Sequence, residues 1–236
     1  IGPIKRNASI LRSELSFILR ETTLPVKITL PGPMTVADST ADEFYHNEEK
    51  LAMDVAVALN EEALELEQQG AAVIQFDEPV FSRYPEKVVS WGIKALDRCL
   101  EGLSTAKSAA HICYSYPMPG VPRPIVDSYP VILEALESSK VDELALEFEA
   151  SKLDPSLLRR CPSKTVLFGC IDNGTNEIEN PQDIANKLLT AAEHLPPTQI
   201  QAAPDCGLVP LPLAIARLKL KAMVEGAKLA RQEFGK

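Results

Sequence analysis

The sequence predicts an α/β protein of the (β/α)8 TIM-type barrel class, in which six of the eight βα units are visible. Three observations support this class. Short β-branched runs alternate with longer helical patterns, polar residues follow one strand after another, and no glycine-rich phosphate loop occurs. An open doubly wound sheet gathers its functional groups at one switch point, whereas a barrel takes them from several strand ends, so the pattern favours the barrel.

The first part of the chain predicts a strand, a helix and a second strand. Residues 25–30 are a short β-branched run that ends at Pro31-Gly32-Pro33, as a buried strand before a rigid loop does. Residues 39–69 carry apolar side chains at helical spacing, with acidic residues between them. The apolar run 71–76 predicts the second strand, which ends at Asp77-Glu78-Pro79.

The remainder of the chain repeats this alternation. The further predicted strands are 109–113, 143–148, 165–171 and 199–203. The predicted helical segments are 88–103, 130–139, 155–160, 181–194 and 211–234, and 117–124 is a proline-rich loop. Residues 2–4 could add an edge strand. No change of composition marks a linker, so residues 1–236 are predicted to form one domain whose first two βα units lie upstream or are missing from an incomplete sheet.

Composition and charge narrow the possible partners to small molecules. The formal charge of -9, without a cluster of Lys or Arg, argues against nucleic acid and anionic membrane surfaces. The five cysteines form no CxxC pair or disulfide scaffold, which favours a reducing compartment. Neither a signal peptide nor a membrane span is visible, so we expect a soluble, cytoplasmic protein.

His111 and Cys113 stand two residues apart at the end of an apolar run, so a strand would present both on one face. For this pair taken alone, a satisfied buried histidine and a core cysteine are the favoured interpretation. Glu147 and Cys206 follow at later strand ends, and one imidazole, two thiols and a carboxylate suit a tetrahedral zinc site. Glu149 is a rival to Glu147. Because these residues are far apart in sequence, they favour a functional site on a preformed scaffold over a zinc finger.

Several motifs resemble those of a known family when taken in order. They are Leu30-x-Gly32-Pro33-Met34-Thr35, Ile74-Gln75-Phe76-Asp77-Glu78-Pro79, His111-x-Cys113-Tyr114, Leu144-x-Leu146-Glu147, Gly169-x-Ile171-Asp172 and Pro204-Asp205-Cys206-Gly207-Leu208. The chain is similar, over nearly its whole length, to the C-terminal catalytic barrel of the cobalamin-independent methionine synthase family. That barrel begins about two strands before Ile1, in agreement with the six predicted strands.

The resemblance implies a zinc-dependent transfer of an alkyl group, such as methyl, to a thiol such as homocysteine. Its implied zinc ligands are His111, Cys113, Glu147 and Cys206. Asp77 matches the carboxylate that holds the amino group of homocysteine, and Glu78 would support it or lie on the pterin side. No catalytic residue beyond the zinc ligands is implied. The partners would be a small thiol and a methyl donor.

Two positions depart from the folate-using members of the family. Ser39 stands where they have a tryptophan that stacks on the pterin, and the single tryptophan of this chain is Trp91. Residues 173–175 read Asn-Gly-Thr, without the histidine that assists proton transfer. The donor is therefore open between a folate and a corrinoid. Two alternatives also stay open, namely a degenerate non-catalytic barrel and a metal-free barrel similar to uroporphyrinogen decarboxylase.

Overall fold

A computed structural model, which describes residues 2–116 and 125–235, shows a parallel sheet with the strand order β1-β2-β3-β4-β5-β6. The strands are β1 (Lys27–Pro31), β2 (Val73–Asp77), β3 (Lys107–Ile112), β4 (Glu143–Leu146), β5 (Thr165–Ile171) and β6 (Ile200–Pro204). Strand β2 pairs in parallel with β1 and β3, and β5 pairs in parallel with β6. The α/β class and all six predicted strands are confirmed.

The helices fall between the strands, as βα units require. They are α1 (Arg12–Glu21), α2 (Pro33–Asp38), α3 (Glu48–Gln69), α4 (Pro85–Lys87), α5 (Ile93–Cys99), α6 (Tyr129–Glu137), α7 (Pro181–Ala191) and α8 (Leu213–Phe234). A π-helical turn, Val88–Gly92, joins α4 to α5, and 3-10 turns occupy Pro79–Ser82, Pro155–Arg160 and Pro197–Gln199. The predicted loop 117–124 lies outside the described residues.

The predicted helix over 39–69 is wrong at its start. Helix α2 ends at Asp38, and α3 begins only at Glu48. Between them the carboxylate of Asp42 accepts hydrogen bonds from the backbone N–H groups of Tyr45 and Asn47, at 2.7 and 2.8 Å. Asn47 then caps α3 by accepting from the backbone N–H of Lys50 at 2.9 Å. Short polar side chains that bind nearby backbone groups in this way compete with helix formation.

The predicted edge strand at 2–4 is also wrong, since those residues adopt no strand conformation. The N-terminal segment instead leads into α1 and is fixed by Glu62 of α3, whose side chain is buried. Glu62 accepts from the backbone N–H groups of Ile10 and Leu11 at 2.8 and 2.9 Å, and from Arg6 Nε at 2.7 Å. The charged carboxylate of Glu62 therefore fixes the residues that precede α1. Because this contact is polar, an apolar sequence pattern does not predict it.

The chain divides into two compact units, 1–111 with 138–143 and 112–137 with 144–236. In the first unit, the apolar face of α3 and the inner residues of β2 supply the core. Its fully or nearly fully buried side chains include Leu51, Val55, Leu59, Ile74 and Phe76. Within the described residues, no helix has the length and apolar character that crossing a bilayer requires.

In the second unit, aromatic contacts and the α7–α8 pair form the core. The rings of Phe148 and Phe168 stack with their centroids 4.5 Å apart. Helix α8 approaches α7 closely at Gly226, where an added Cβ would lie 2.7 Å from Ile184 Cβ. Lys219 of α8 is fully buried, and its ammonium group donates to the backbone oxygen of Asp172 at 2.9 Å and to Glu179 at 2.8 Å.

Candidate metal centre

The structure brings together three of the four predicted zinc ligands. Possible ligand atoms of His111, Cys113 and Cys206 all lie within 4.8 Å of one another. His111 belongs to β3 and Cys113 directly follows its last residue, so strand alternation points both side chains the same way. His111 and Cys113 are buried, at 7% and 2% exposure, whereas Cys206 is partly exposed. A soft-ligand cluster accessible from one side results.

The spacing of the two sulfurs fits zinc. Cys113 Sγ and Cys206 Sγ are 3.8 Å apart. Two thiolates that bind one zinc ion tetrahedrally, each with a bond of about 2.3 Å, have sulfurs about 3.8 Å apart. The hydrogen bond with Cys206, together with burial, raises the pKa of the Cys113 thiol above its ordinary value. This raised pKa favours the protonated Cys113 thiol when no metal is bound, and a bound cation would reverse that preference by stabilising the thiolate.

Glu147 lies just beyond the end of β4 and outside the group of three. Its carboxylate is 1% exposed, accepts from the backbone N–H of Tyr114 at 2.9 Å and accepts from the hydroxyl of Ser151. Its own backbone N–H donates to the hydroxyl of Tyr129 at 3.1 Å. The carboxylate is thus fixed beside the residue that follows Cys113.

The rival residue Glu149 faces cationic side chains. Its carboxylate forms ion pairs with Lys152 at 2.5 Å and with Lys187 at 2.6 Å. Although burial opposes ionisation, the hydrogen bonds and charges of these two lysines lower the pKa of Glu149. This carboxylate already has two counter-ions.

Asp205, next to Cys206, has a role that the sequence did not reveal. Its side chain is 1% exposed and accepts hydrogen bonds from three consecutive backbone N–H groups, those of Phe148, Glu149 and Ala150, at 3.0, 3.0 and 2.6 Å. Burial raises the pKa of Asp205 to about 7 in spite of these bonds. Its position at a strand end was visible in the sequence, but its partners 55 to 57 residues earlier were not.

Asp77 and Glu78, the predicted substrate-binding residues, differ in burial and in their hydrogen-bond partners. Asp77 ends β2 beside His111 of β3, is half-buried and accepts from Gln75 Nε2 at 2.9 Å. Glu78 is fully buried and accepts from the backbone N–H groups of Met34 and Thr35, each at 2.8 Å, and from the Thr35 hydroxyl at 2.6 Å. Burial raises the pKa of Glu78 to about 7. Glu78 therefore anchors the start of α2.

The residues that depart from the folate-using pattern are placed by ordinary hydrogen bonds or by burial. Ser39 is exposed, and its hydroxyl donates to the backbone oxygen of Thr35 at 2.8 Å. Trp91 is buried at 8% exposure in the π-helical turn. Asn173 is 1% exposed and donates to the backbone oxygen of Gly207 at 3.2 Å, in the turn that follows Cys206.

The other three cysteines lie in the core. Cys99, Cys161 and Cys170 are fully buried. Burial raises the pKa values of Cys161 and Cys170 to about 12. Such thiols are unreactive at neutral pH, and these three cysteines are core residues.

A parallel sheet with thiol and imidazole groups at its strand ends defines a class of barrel-type α/β proteins with a candidate soft-ligand metal centre. Comparison with protein families gives a match to the cobalamin-independent synthase catalytic domain over residues 6–229. The chain therefore belongs to the cobalamin-independent methionine synthase family.

Individual relatives agree with this assignment. A methionine synthase of Saccharolobus islandicus (strain L.S.2.15 / Lassen #1) is 35% identical over 211 residues, which cover 89% of this chain and 59% of the relative. A methionine synthase of Thermococcus kodakarensis is 29% identical over 238 residues, covering 100% of this chain and 67% of the relative. The chain thus spans about three fifths to two thirds of the length of these relatives.

Solved structures confirm the TIM-barrel-like α/β class. A B12-independent methionine synthase from Shewanella sp. W3-18-1, in complex with selenomethionine, superimposes with a TM-score of 0.92 and 35% identity, covering 99% of this chain and 70% of that one. A methyltransferase from Methanosarcina mazei has a TM-score of 0.70 and 17% identity, covering 96% and 64%. At that identity the second likeness concerns the fold alone.

Proposed function

We propose that this chain carries a zinc-dependent methyltransferase centre that acts on a thiol such as homocysteine. The observation that carries the proposal is the pair Cys113 and Cys206, whose sulfurs lie 3.8 Å apart in a member of this family. The selenomethionine bound by the Shewanella relative is the selenium analogue of a methylated thiol product. Both support sulfur as the atom that receives the methyl group.

His111, Cys113 and Cys206 would hold the zinc ion, with Glu147 as the fourth ligand. Bound zinc would lower the pKa of a coordinated thiol, so that a thiolate is available near neutral pH. The ligand residues fix the position of that thiol because they extend from buried strand ends. Glu147 adds a negative group whose direction is set by Tyr114 and Ser151.

The reaction would form a bond between the thiol sulfur and the methyl carbon and break the bond from that carbon to its donor. The sulfur supplies the electron pair, the donor keeps the pair of the broken bond, and the thiol proton is released. Asp77 would accept hydrogen bonds from the amino group of the substrate. Glu78 would act indirectly, since both of its oxygens accept from Met34 and Thr35.

The methyl donor is a folate or a corrinoid. No tryptophan occupies position 39, and Ser39 offers no aromatic surface for a pterin. No histidine follows β5 at 173–175 to protonate a leaving amine. These two departures from the folate-using pattern favour a corrinoid, whose departure from the methyl group needs no protonated nitrogen. We also propose a cytoplasmic location, in which thiols stay reduced.

The proposal is tested by metal content and by donor-specific turnover of the same preparation. We expect about one zinc per chain by mass spectrometry, and methionine formed from homocysteine with methylcobalamin or with methyltetrahydrofolate. Cys113→Ser and Cys206→Ser should each lose zinc while keeping the wild-type circular dichroism spectrum. Cys170→Ser is the matched control, because its sulfur belongs to a neighbouring strand and only donates to Ala203 O at 3.4 Å.

Each outcome selects among the alternatives. Stoichiometric zinc without methionine from either donor would support a degenerate, non-catalytic barrel and reject the enzymatic proposal. A protein without zinc would support a metal-free barrel. Zinc retained by both Cys113→Ser and Cys206→Ser would show that the metal lies elsewhere.

A further inference from the structure

We infer that Asp205 is a positioning residue of the metal centre, which holds the segment bearing Glu147 in register with the segment bearing Cys206. The inference rests on the proposed function, because it concerns the same ligands. It adds a residue that binds no metal and touches no substrate, yet joins two ligand-bearing segments that are far apart in sequence.

The carboxylate of Asp205 bridges the two segments directly. Asp205 precedes Cys206, and its oxygens accept from the backbone N–H groups of Phe148, Glu149 and Ala150. These three amides follow Glu147 without a gap. Because a carboxylate that accepts three backbone N–H bonds is held from three directions, the end of β4 cannot shift without displacing Asp205.

Asp205 is itself fixed to the sheet. Its backbone N–H donates to the oxygen of Ile171, at the end of β5, at 3.0 Å. Its side chain passes over Gly169 of β5 so closely that an added Cβ there would lie 2.1 Å from Asp205 Oδ1. The carboxylate therefore lies against β5, and its hydrogen bonds connect that strand to the Glu147 segment.

The same amides also determine how Glu147 is oriented. Ser151, whose hydroxyl donates to Glu147 Oε1, comes immediately after the three anchored residues. Loss of the anchor would free the turn that carries Ser151 and would disturb the hydrogen bond from its hydroxyl to Glu147, while the bond from the Tyr114 amide does not depend on that turn. A change at Asp205 should therefore alter metal affinity through Glu147, without removing any ligand.

Glu67 provides a matched control in the other compact unit. Its Oε1 atom accepts from three consecutive backbone N–H groups, those of Ser104, Thr105 and Ala106, at 2.8, 2.7 and 2.8 Å. This anchor precedes β3, at the opposite end of the strand from His111. Its loss should destabilise the fold without disturbing the ligands.

The experiment compares Asp205→Ala, Asp205→Asn and Glu67→Ala in zinc affinity, in the absorption spectrum of the cobalt-substituted protein and in amide hydrogen exchange. We expect Asp205→Ala to weaken zinc binding by about tenfold or more, to change the cobalt spectrum and to accelerate exchange at 148–150. Asp205→Asn keeps an oxygen for Phe148 and Glu149 and should fall between the wild type and Asp205→Ala. Glu67→Ala should accelerate exchange at 104–106 with zinc affinity and cobalt spectrum unchanged.

The outcomes separate this inference from the function on which it rests. Wild-type zinc binding with an unchanged affinity and cobalt spectrum in both Asp205 variants would overturn the inference alone and leave the proposed function standing. A wild-type chain that binds no zinc would overturn both. If Asp205→Ala does not fold, Asp205→Asn decides, because its remaining oxygen preserves part of the anchor.

Discussion

Gly169→Ala is expected to damage both the stability and the metal centre, because no side chain fits at this point of β5. An added Cβ would lie 2.1 Å from Asp205 Oδ1 and 2.6 Å from the backbone oxygen of Leu146. Both distances are well inside van der Waals contact. The pairing of β5 with β6 also shifts its register between Gly169 and Ile171, so the two strands are already irregular here.

The expected magnitude follows from two contributions. Overpacking of a dense interior costs about 1–3 kcal/mol. Displacement of Asp205 Oδ1 would leave buried amides of Phe148 and Glu149 without their acceptor, at a cost of about 1–3 kcal/mol each. Because the strand can relax in part, we expect a total loss of about 3–5 kcal/mol, out of a stability of about 5–15 kcal/mol for a typical domain.

The assay is urea denaturation followed by circular dichroism, with zinc affinity measured on the same preparation. The matched control is Gly226→Ala, where the added Cβ would lie 2.7 Å from Ile184 Cβ and 2.8 Å from Pro181 O, between α7 and α8. Both variants should unfold at lower urea, but only Gly169→Ala should also bind zinc more weakly, by about tenfold. A Gly169→Ala protein within about 0.5 kcal/mol of wild type, or one with unchanged zinc affinity, would refute the reasoning.

Two further predictions concern buried charges. Burial raises the pKa of Glu62, but the N–H groups of Leu11 and Ile10 with Arg6 and Ser9 more than offset it, so the folded pKa is lowered. Its contribution to stability is therefore present above the unfolded pKa of about 4.5 and lost as pH falls through the folded value. Glu62→Gln should flatten the loss of unfolding free energy as pH falls below the unfolded value of about 4.5, and a slope equal to wild type would contradict this. Lys219→Met should cost about 3–5 kcal/mol in urea denaturation because it leaves Glu179 without its cation, and adding Glu179→Gln should restore part of the loss. If the double variant is no more stable than Lys219→Met, the ion pair is not the source of the effect.

Most of the fold was predictable because each strand has a recognisable pattern within its own residues. The run 165–171 is recognised from its own apolar, β-branched residues, and the structure has β5 at Thr165–Ile171. Helix α1 was missed although its own residues carry a helical signal, since Leu11, Leu15 and Ile18 recur at helical spacing. The distant carboxylate of Glu62, which binds the backbone just before this helix, has no counterpart in a local pattern.

The candidate site shows the same division between local and distant information. The positions of His111, Cys113 and Cys206 at strand ends follow from the sequence, since parallel strands bring their carboxyl ends to one edge. The sulfur–sulfur distance of 3.8 Å does not, because the two cysteines are 93 residues apart and follow strands that are not neighbours in the sheet order. The hydrogen bonds of Asp205 were equally unpredictable, since the sequence does not indicate which backbone amides a carboxylate will accept from.

Asp205 accepts hydrogen bonds from backbone N–H groups, so these bonds do not depend on which side chains the donor residues carry. The side chains at positions 149 and 150 can therefore change without loss of their backbone hydrogen bonds to Asp205. The Glu149 pairs with Lys152 and Lys187 are partly exposed, and partly exposed ion pairs add little stability. Sequence changes at these two positions should therefore leave intact the hydrogen bonds that hold the Glu147 segment in place.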